Sequence, residues 1–276
     1  MTINCRGTLI DLTLPKVMGI LNITPNSFYD GGKYTNEKQC LAQVEKMLFE
    51  GATFIDIGAY SSKPSAEFVS ETEEIARLVP AVQLILKHFP EALISVDTFR
   101  ANVAKAALEA GASIVNDIAA GSLDEQMMQT VAEFQVPYIM MHMKGNPQTM
   151  QSLAQYDNVT KEVLFYFSEK IAQARSFGIN DLIIDPGFGF AKTIGQNFEL
   201  LSHLELFERL QLPILVGVSR KSMIYKTLGT TAELALNGTT VLNTIALQKG
   251  SNILRVHDVK EAIECVKLHQ NLMAKN

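Results

Sequence analysis

Eight short apolar runs recur along the chain, and longer segments with helix-like patterning separate them. The runs start at Val17, Phe54, Leu93, Ile114, Tyr138, Leu182, Ile214 and Ile253. Each run is almost continuously apolar, which is typical of parallel strands covered by helices on both faces. Because parallel neighbours must be joined by a crossover connection, this alternation predicts an α/β protein in which helices return the chain from one strand to the next.

The ends of the predicted helices carry signals of their own. Ser70 followed by Glu73 has the spacing of a capping box ahead of an apolar helical stretch, and Pro80 is predicted to kink that helix. Glycines also stand just before several of the strand-like runs, where helix C-terminal glycines belong. These are Gly51, Gly111, Gly178 and Gly250.

Eight strand–helix units in about 260 residues, without a linker, predict a closed (β/α)₈ barrel, or TIM barrel, as a single domain over residues 1–276. The first 15 residues are predicted to form a short hairpin or cap at the bottom of the barrel. An open doubly wound sheet is the alternative, and it would carry a glycine-rich fingerprint after its first strand. The sequence has no such fingerprint there, so the barrel is favoured.

Composition narrows the partners and the compartment. A net charge of −5 without a basic run argues against a nucleic-acid or membrane surface. No apolar run reaches the roughly 18 residues of a membrane span, and the N-terminus lacks the long apolar core of a secretory signal. Cys5, Cys40 and Cys265 are far apart and indicate reduced structural thiols. We therefore expect a cytoplasmic protein with no nucleic-acid and no membrane partner.

Polar residues gather at the C-terminal ends of the predicted strands. They are Asn22, Ser61, Ser62, Asp97, Asn116, Asp117, His142, Asp185, Ser219, Arg220, Lys221, Arg255, His257 and Asp258. In a barrel these ends meet at one mouth, where active sites are built. A single polar strand end is more often the N-cap of the next helix, and that alternative suits Thr98 and Asp258.

Some of these residues suit a flat heterocycle with several nitrogens. Asp97 and Asp185 stand in or beside apolar runs, where an unpaired carboxylate is costly. A carboxylate can accept two parallel N–H bonds from an aminopyrimidinone edge, while Asn116 can donate and accept and Lys221 can donate. For Lys221 the alternative is a salt bridge to Asp185.

Arg255 and His257 alternate with Leu254 and Val256 in the last apolar run. Two cation-capable side chains on one face of a strand predict a small anion as their partner. The segments after the first two strands are long for βα connections, and long ordered loops on a rigid scaffold are often functional. Phe190 is predicted to form an apolar wall above Asp185, whereas core packing is favoured for Phe188.

Segments along nearly the whole chain together resemble the dihydropteroate synthase family, from about residue 15 to 265. They read "MGILNITPNSFYDGG", "DIGAYSSKPSAEFVS", "SVDTFR", "SIVNDI", "MMHMKG", "DPGFGFAK", "VGVSRKSMI" and "ILRVHDV". The resemblance implies a (β/α)₈ barrel, a homodimer and inhibition by sulfonamides. It also implies a transferase of folate biosynthesis that joins 6-hydroxymethyl-7,8-dihydropterin diphosphate to 4-aminobenzoate and releases pyrophosphate with Mg²⁺.

The resemblance also implies roles for individual residues. The pterin would be bound by Asp97, Asn116, Met141, Asp185, Lys221 and Arg255. The diphosphate would be bound by Ser62, Lys63, Arg255 and His257, with Asn22 as the protein ligand of Mg²⁺. The aminobenzoate would be bound by Phe28, Ser62, Pro64, Phe190, Ser219 and Lys221. The catalytic residues would be Lys221, Arg255 and His257. Pyrophosphate would leave first, and the amine would then attack a cationic CH₂ without a protein nucleophile.

The chain departs from the family pattern in its first two loops. Asn26 stands where the family commonly has Asp, and Lys63-Pro64-Ser65 replaces Arg-Pro-Gly. Lys keeps the charge of Arg but loses its planar fork, which weakens the expected grip on phosphate. Two alternatives stay open: a methyltetrahydrofolate methyltransferase barrel, which has no use for a diphosphate clamp, and a degenerate paralogue that binds pterin without catalysis.

Overall fold

The computed structural model describes residues 1–23, 33–60 and 69–274. Its strands are β1 (Thr2–Cys5), β2 (Thr8–Asp11), β3 (Lys16–Asn22), β4 (Phe54–Gly58), β5 (Leu93–Asp97), β6 (Ile114–Asp117), β7 (Tyr138–Met141), β8 (Leu182–Asp185), β9 (Leu215–Val216) and β10 (Ile253–Val256). The last eight are the predicted strands, and they pair in parallel in the order β8-β7-β6-β5-β4-β3-β10-β9. A bridge between Ile184 and Ile214 joins the two ends of this sheet. The predicted closed barrel is thereby confirmed.

Helices follow the barrel strands along the chain. They are α1 (Lys33–Phe49), α2 (Glu71–His88), α3 (Ala101–Glu109), α4 (Met127–Phe134), α5 (Val159–Ser176), α6 (Ile194–Ser202), α7 (Ser222–Tyr225), α8 (Leu236–Gln248) and α9 (Val259–Met273), with 3₁₀ helices over Met150–Leu153 and Leu204–Leu210. Glycines with left-handed backbone close the turns before four strands, as predicted, at Gly51, Gly111, Gly178 and Gly250. Among the helices of the described residues, none is long and apolar enough to cross a membrane.

The start of α2 forms only half of the predicted capping box. Ser70 accepts a hydrogen bond from the Glu73 backbone N–H at 3.3 Å. The Glu73 carboxylate, however, pairs with Arg77 one turn further along the helix. An arginine at i+4 gives this carboxylate a charged partner, which it takes in place of the Ser70 backbone N–H.

The N-terminal hairpin closes the bottom of the barrel. Strands β1 and β2 pair antiparallel, and Ile3, Cys5 and Leu12 are buried against the first inward-facing residues of the barrel strands. Those inward-facing residues are Met18, Phe54, Ile114, Ile139, Ile183, Leu215 and Ile253. The predicted hairpin is confirmed, and it leaves the C-terminal ends of the strands as the open end of the barrel. Cys5, Cys40 and Cys265 form no disulfide, in agreement with the prediction of reduced thiols, and all three are buried.

A larger core lies between the outside of the sheet and the helices. Ile55 and Ile57 of β4 are fully buried there, together with Leu78 and Val82 of α2. Residues one position along each strand from these point the other way, into the barrel, because side chains alternate across a strand. This alternation decides which polar strand residues can reach the mouth.

Candidate active site

Strand register brings four of the predicted site residues to the C-terminal end of the sheet, in two pairs. Asp97 pairs with Asn116 between β5 and β6, and Met141 pairs with Asp185 between β7 and β8. Asn116, Met141 and Asp185 are all buried. Asn22 is exposed at the last position of β3, on the same end of the sheet. The predicted convergence of distant residues is therefore present in the barrel.

Arg255 is held by two carboxylates. Its Nε donates to Asp56 Oδ2 at 2.6 Å, and its Nη2 donates to Asp97 Oδ2 at 2.7 Å. Asn116 Nδ2 donates to the same Asp56 oxygen at 3.1 Å. Two of the three guanidinium nitrogens are thus fixed by acceptors on different strands, which fixes the plane of the guanidinium group as well as its position.

Sequence reasoning missed Asp56. It lies in the middle of β4, is fully buried, and its Oδ1 has no hydrogen-bond partner in the described structure. Like Asp97 and Asp185, Asp56 in "FIDIGA" is a carboxylate within an apolar run and needs a partner there. Attention to strand ends alone passed over a residue one inward-facing position below the rim.

Asp97 and Arg255 at the mouth shift each other's pKa. Burial raises the pKa of Asp97. The positive charge of Arg255 opposes this shift, and the nearby carboxylate of Asp56 adds to it. Burial alone would lower the pKa of Arg255, but Asp56 and Asp97 raise it above its ordinary value. Arg255 is therefore charged at every physiological pH, and it supplies a fixed cation at the centre of the mouth.

Asp185 and Lys221 are coupled without a direct bond. Asp185 Oδ1 accepts the Gly187 backbone N–H at 2.8 Å, whereas the Lys221 ammonium donates to the carbonyl oxygen of Phe188. Burial raises the pKa of Asp185, and Lys221 opposes this shift. Burial lowers the pKa of Lys221 to about 8, and Asp185 opposes that shift in turn. In the described structure the hydrogen bond of Lys221 thus goes to the loop after β8, and not to Asp185 as the alternative had it.

The two phenylalanines of this loop differ in their surroundings. Phe188 is fully buried in the larger core, which confirms the expectation of core packing. Phe190 is half-buried, packs against the cluster that contains Met141, and lies with its ring centroid 4.9 Å from Lys221 Nζ. Phe190 therefore forms an apolar wall beside the ammonium at the mouth.

His257 is oriented by Ser219. The His257 backbone N–H donates to Ser219 Oγ at 3.2 Å, and the same oxygen lies 3.0 Å from His257 Nδ1. Burial lowers the pKa of His257, and Arg255 lowers it further. From this network we assign a neutral imidazole that accepts the Ser219 hydroxyl proton at Nδ1 and carries its own proton at Nε2.

Other polar strand-end residues do not serve the mouth, so the expectation that all of them converge there is wrong. Asp117 accepts the Tyr138 hydroxyl at 2.6 Å on the helix side of the sheet. His142 Nδ1 lies 3.0 Å from the Lys192 ammonium. Both positions face outward by strand alternation, since Asn116 and Met141 next to them face inward.

Arg220 and Asp258 form a bidentate ion pair, with both hydrogen bonds at 2.8 Å. Asp258 stands at the N-cap position of α9 but makes no side-chain capping bond, so the capping interpretation of its side chain is wrong. The Thr98 hydroxyl donates to Glu74 at 2.8 Å and also accepts the Arg100 backbone N–H at 3.3 Å, although the N-cap residue of α3 is Arg100 and not Thr98. For the Asp258 side chain, an ion of opposite charge outcompetes a solvated helix end.

Several predicted site residues lie outside the described residues. They are Phe28, Ser62, Lys63 and Pro64, together with Ser61 and the departures Asn26 and Ser65. The assignments made for these residues therefore stay predictions.

A family model described as pterin binding enzyme matches residues 18–257. The dihydropteroate synthase of Escherichia coli strain K12 is 43% identical over 271 residues, which cover 97% of this chain and 95% of that protein. The chain belongs to the dihydropteroate synthase family. It is therefore a transferase of folate biosynthesis of the dihydropteroate synthase type, as the resemblance predicted.

Solved structures agree with this family membership. The Yersinia pestis dihydropteroate synthase, in a complex with a sulfonamide drug, is 40% identical with a TM-score of 0.91, and the match covers 100% of both chains. The Xanthomonas albilineans enzyme with 4-aminobenzoic acid is 36% identical with a TM-score of 0.91, covering 99% of this chain and 98% of that one. The same enzyme with 7,8-dihydropteroate is 35% identical with a TM-score of 0.88, and 99% of each chain is covered.

Proposed function

We propose that this chain condenses 6-hydroxymethyl-7,8-dihydropterin diphosphate with 4-aminobenzoate at the barrel mouth, using the residues described above. The observation that carries the proposal is the Arg255 guanidinium held between Asp56 and Asp97. It places a fixed, flat cation beside the acceptors Asn116 and Asp185, where one face can meet an aromatic ring and one edge an anion.

The pterin pocket is built from groups that match an aminopyrimidinone. We propose that Asp185 accepts two N–H groups of the ring, since Oδ1 can accept a second hydrogen bond besides that of Gly187 and Oδ2 can accept one as well. Asn116 and Asp97 read the neighbouring polar edge, and Lys221 donates to a ring oxygen or nitrogen. Met141 supplies apolar contact at the base of the pocket.

The diphosphate is assigned to Arg255 and His257, with Ser62 and Lys63 from the second loop. The Nε2–H that we assign to His257 is a donor suited to a phosphate oxygen. Asn22 fits a magnesium ligand, because its side chain is exposed at the mouth and a single neutral oxygen leaves positions for phosphate oxygens and water. When bound, Mg²⁺ supplies positive charge that stabilises the leaving diphosphate.

The order of steps follows from which groups the site offers. We propose that the C–O bond to the diphosphate breaks first and that the dihydropterin ring stabilises the cationic CH₂. The neutral amine of 4-aminobenzoate then forms the C–N bond and loses one proton to the released pyrophosphate or to water. Arg255 and His257 stabilise the departing anion, and the pocket walls hold the two reactants in line. Phe190, Ser219 and Lys221 flank the aminobenzoate, with Phe28, Ser62 and Pro64 from the loops. Sulfonamides, which the Yersinia relative binds, would occupy the aminobenzoate position as inhibitors.

The proposed function is tested by pyrophosphate release from purified protein given dihydropterin diphosphate and Mg²⁺, with and without 4-aminobenzoate. Continuous, multiple-turnover release is expected only with the amine present, because the amine consumes the cationic pterin, and each pyrophosphate should be matched by one equivalent of dihydropteroate. Calorimetric binding of the pterin without amine-dependent pyrophosphate release would contradict the proposal and favour the paralogue that binds pterin without catalysis.

Removal of divalent cations is expected to lower turnover by at least about tenfold, because the diphosphate then leaves without its counter-charge. The measurement is steady-state pyrophosphate release after treatment with a chelator, followed by titration with Mg²⁺. Activity should return with added Mg²⁺, and it should return less fully in an Asn22→Ala variant. Undiminished turnover after chelation would refute the magnesium assignment.

A homodimer is also proposed, and the α8–α9 face is the surface that supports it. Leu268 and Leu272 on α9 are 74% and 60% exposed, and Val241 on α8 is 49% exposed. A groove of about 260 Å³ that includes Cys265 lies between the two helices. Adjoining exposed apolar side chains on two packed helices are typical of a surface covered by another protein chain.

We also keep as predictions that the protein acts in the cytoplasm on small molecules and that it has no nucleic-acid partner.

Sedimentation equilibrium is expected to give twice the 30.5 kDa mass of the chain. Leu268→Glu should shift the protein to monomer, because a charge on this face is buried without a partner in a dimer. Phe165→Glu, on the exposed side of α5, is the matched control and should leave the dimer intact. A wild-type monomer at micromolar concentration would contradict the dimer.

A further inference from the structure

Lys192 is a buried lysine that the reaction described above does not use. Its Nζ lies 2.9 Å from the Gly187 carbonyl oxygen, 3.0 Å from that of Phe190 and 3.0 Å from His142 Nδ1. These three acceptors match the three N–H groups of an ammonium. Within the described part of the chain, the hydrogen bonds of Lys192 reach no carboxylate. Burying a cation that bonds only neutral groups costs free energy, which suggests that the charge of Lys192 has a function.

The backbone of Gly187 links this ammonium to the pterin carboxylate. Gly187 donates its N–H to Asp185 Oδ1 at 2.8 Å, while its carbonyl oxygen accepts from Lys192. The backbone of His142 bonds to the same two residues, since its N–H donates to the Asp185 carbonyl at 3.0 Å and its carbonyl lies 3.5 Å from Lys192 Nζ.

The loop is packed too tightly at Gly187 to allow a side chain. A Cβ at this position would lie 2.1 Å from the His142 carbonyl oxygen, and the backbone φ is +74°. Only glycine combines that conformation with so close an approach. Lys192 therefore acts on a rigid segment, through which a change in its hydrogen bonds reaches Asp185 directly.

We infer that Lys192 is a positioning residue for the reaction, whose buried charge keeps Asp185 ionised and whose hydrogen bonds hold the loop that carries Asp185 and Phe190 against the pterin pocket. The inference rests on the proposed function, because it assigns Asp185 the task of accepting N–H bonds from a pterin. Lys192 does not itself contact the substrate in this account.

Charged groups from three elements face Asp185. Burial raises its pKa, which Lys221 after β9, Arg255 on β10 and Lys192 after β8 all oppose. Burial lowers the pKa of Lys192 to about 7, with Asp185 opposing the shift and Lys221 and Lys144 adding to it. Below about pH 7 Lys192 thus carries its proton, and its charge then acts on the Asp185 carboxylate.

His142 is suited to accept from this ammonium. Burial lowers its pKa, and the neighbouring Lys192 and Lys144 lower it further, so the imidazole is neutral. A neutral ring can present Nδ1 as an acceptor, with its proton on Nε2. The ring also packs edge-on against Tyr166 with centroids 4.8 Å apart, which fixes its orientation. His142 is therefore a neutral acceptor of fixed orientation for the Lys192 ammonium.

The test is the pH dependence of kcat/KM for dihydropterin diphosphate from pH 5 to 9, in wild type, Lys192→Met and Lys192→Gln. Protonated Asp185 cannot accept the pterin N–H groups, so activity falls as pH drops through its pKa. Removing a nearby cation raises that pKa, and we expect the acidic limb to move up by about one pH unit in both variants. Gln keeps N–H donors for the loop, so K192Q separates the charge from the tether.

Lys170→Met is the matched control. Lys170 is half-buried with its ammonium 5.9 Å from the Tyr166 ring centroid, on the helix side of the sheet, and its loss should leave the acidic limb in place. Melting temperatures establish that each variant is folded. An acidic limb in folded K192Q that coincides with that of wild type would overturn the inference.

Calorimetric pterin binding at pH 6 and pH 8 gives a readout that does not need turnover. We expect K192Q to weaken binding more at pH 6 than at pH 8. If wild type binds pterin but releases no pyrophosphate, the proposed function fails while this pH difference still supports the role of Lys192. If wild type turns over and K192Q binds like wild type at both pH values, only the role of Lys192 fails.

Discussion

Replacing Arg255 by alanine is expected to lower kcat/KM for dihydropterin diphosphate by about 10³-fold or more, since the departing anion then loses its fixed counter-charge. The same change leaves Asp56 and Asp97 side by side without the cation that now joins them at 2.6 and 2.7 Å. Breaking such a buried pair typically costs about 3 kcal/mol in the free energy of unfolding. Steady-state kinetics and urea unfolding measure the two effects separately.

Arg255→Lys is the variant that isolates the chemistry of the guanidinium. It retains the positive charge between the carboxylates but lacks a planar fork that can donate to both and still present a flat face. We expect it to unfold closer to wild type than Arg255→Ala while remaining strongly impaired in turnover. If Arg255→Ala stays folded with unchanged kinetics, the assigned role of Arg255 is wrong.

Asp185→Asn is expected to lower kcat/KM for the pterin substrate by about 10³-fold, although the Asn side chain has nearly the same shape as Asp. One amide oxygen can still accept the Gly187 N–H that Asp185 Oδ1 accepts at 2.8 Å. The amide NH₂ then faces the pterin, and it presents a donor to N–H groups that need an acceptor. A site built to hydrogen-bond a ligand rejects a mismatched partner far more strongly than an apolar pocket does. Calorimetric pterin affinity and kcat/KM should fall together.

Asp181→Asn is the matched control for this prediction. Asp181 precedes the same strand at the opposite end of the barrel, where its carboxylate accepts the Asn4 backbone N–H at 2.9 Å. The same substitution there should leave pterin affinity unchanged, because it lies at the closed end. Comparable loss of pterin affinity in both variants would show that Asp185 acts through the fold of β8 and not through the ligand.

The barrel could be predicted because its strands are buried on both sides. Near-continuous apolar runs at regular spacing leave few other folds, and the sheet order and the closing Ile184–Ile214 bridge follow that pattern. The positions of Asp97, Asn116 and Asp185 followed in the same way, because the C-terminal ends of parallel strands meet at one end of a barrel.

Which polar residues face the mouth was predicted less well, and strand alternation explains why. Counting by twos from the inward residue Phe54 reaches Asp56, which the search of strand ends missed. The same count from Ile114 and Ile139 selects Asn116 and Met141 and rejects Asp117 and His142. The position of a residue at a strand end predicts which end of the barrel it lies at. The two-residue period predicts whether its side chain points into the barrel or toward the helices.

The role of Lys192 could not have been predicted from spacing. Its side chain turns back into its own loop and meets the carbonyls of Gly187 and Phe190 only because that loop adopts left-handed backbone at Gly187, Gly189 and Ala191. Nothing in the local sequence "GFAK" distinguishes Lys192 from an ordinary surface lysine. Three-dimensional packing was needed to show that its ammonium is buried beside the carboxylate of the pocket.

The most direct measurement is a crystal structure of the protein with dihydropterin diphosphate and Mg²⁺. We expect the pterin in the barrel mouth, with both Asp185 oxygens within hydrogen-bond distance of its nitrogens. The ring should lie beside the Arg255 guanidinium, and the diphosphate should lie at His257. A pterin bound elsewhere, or one in the mouth whose nitrogens do not meet Asp185, would contradict this expectation.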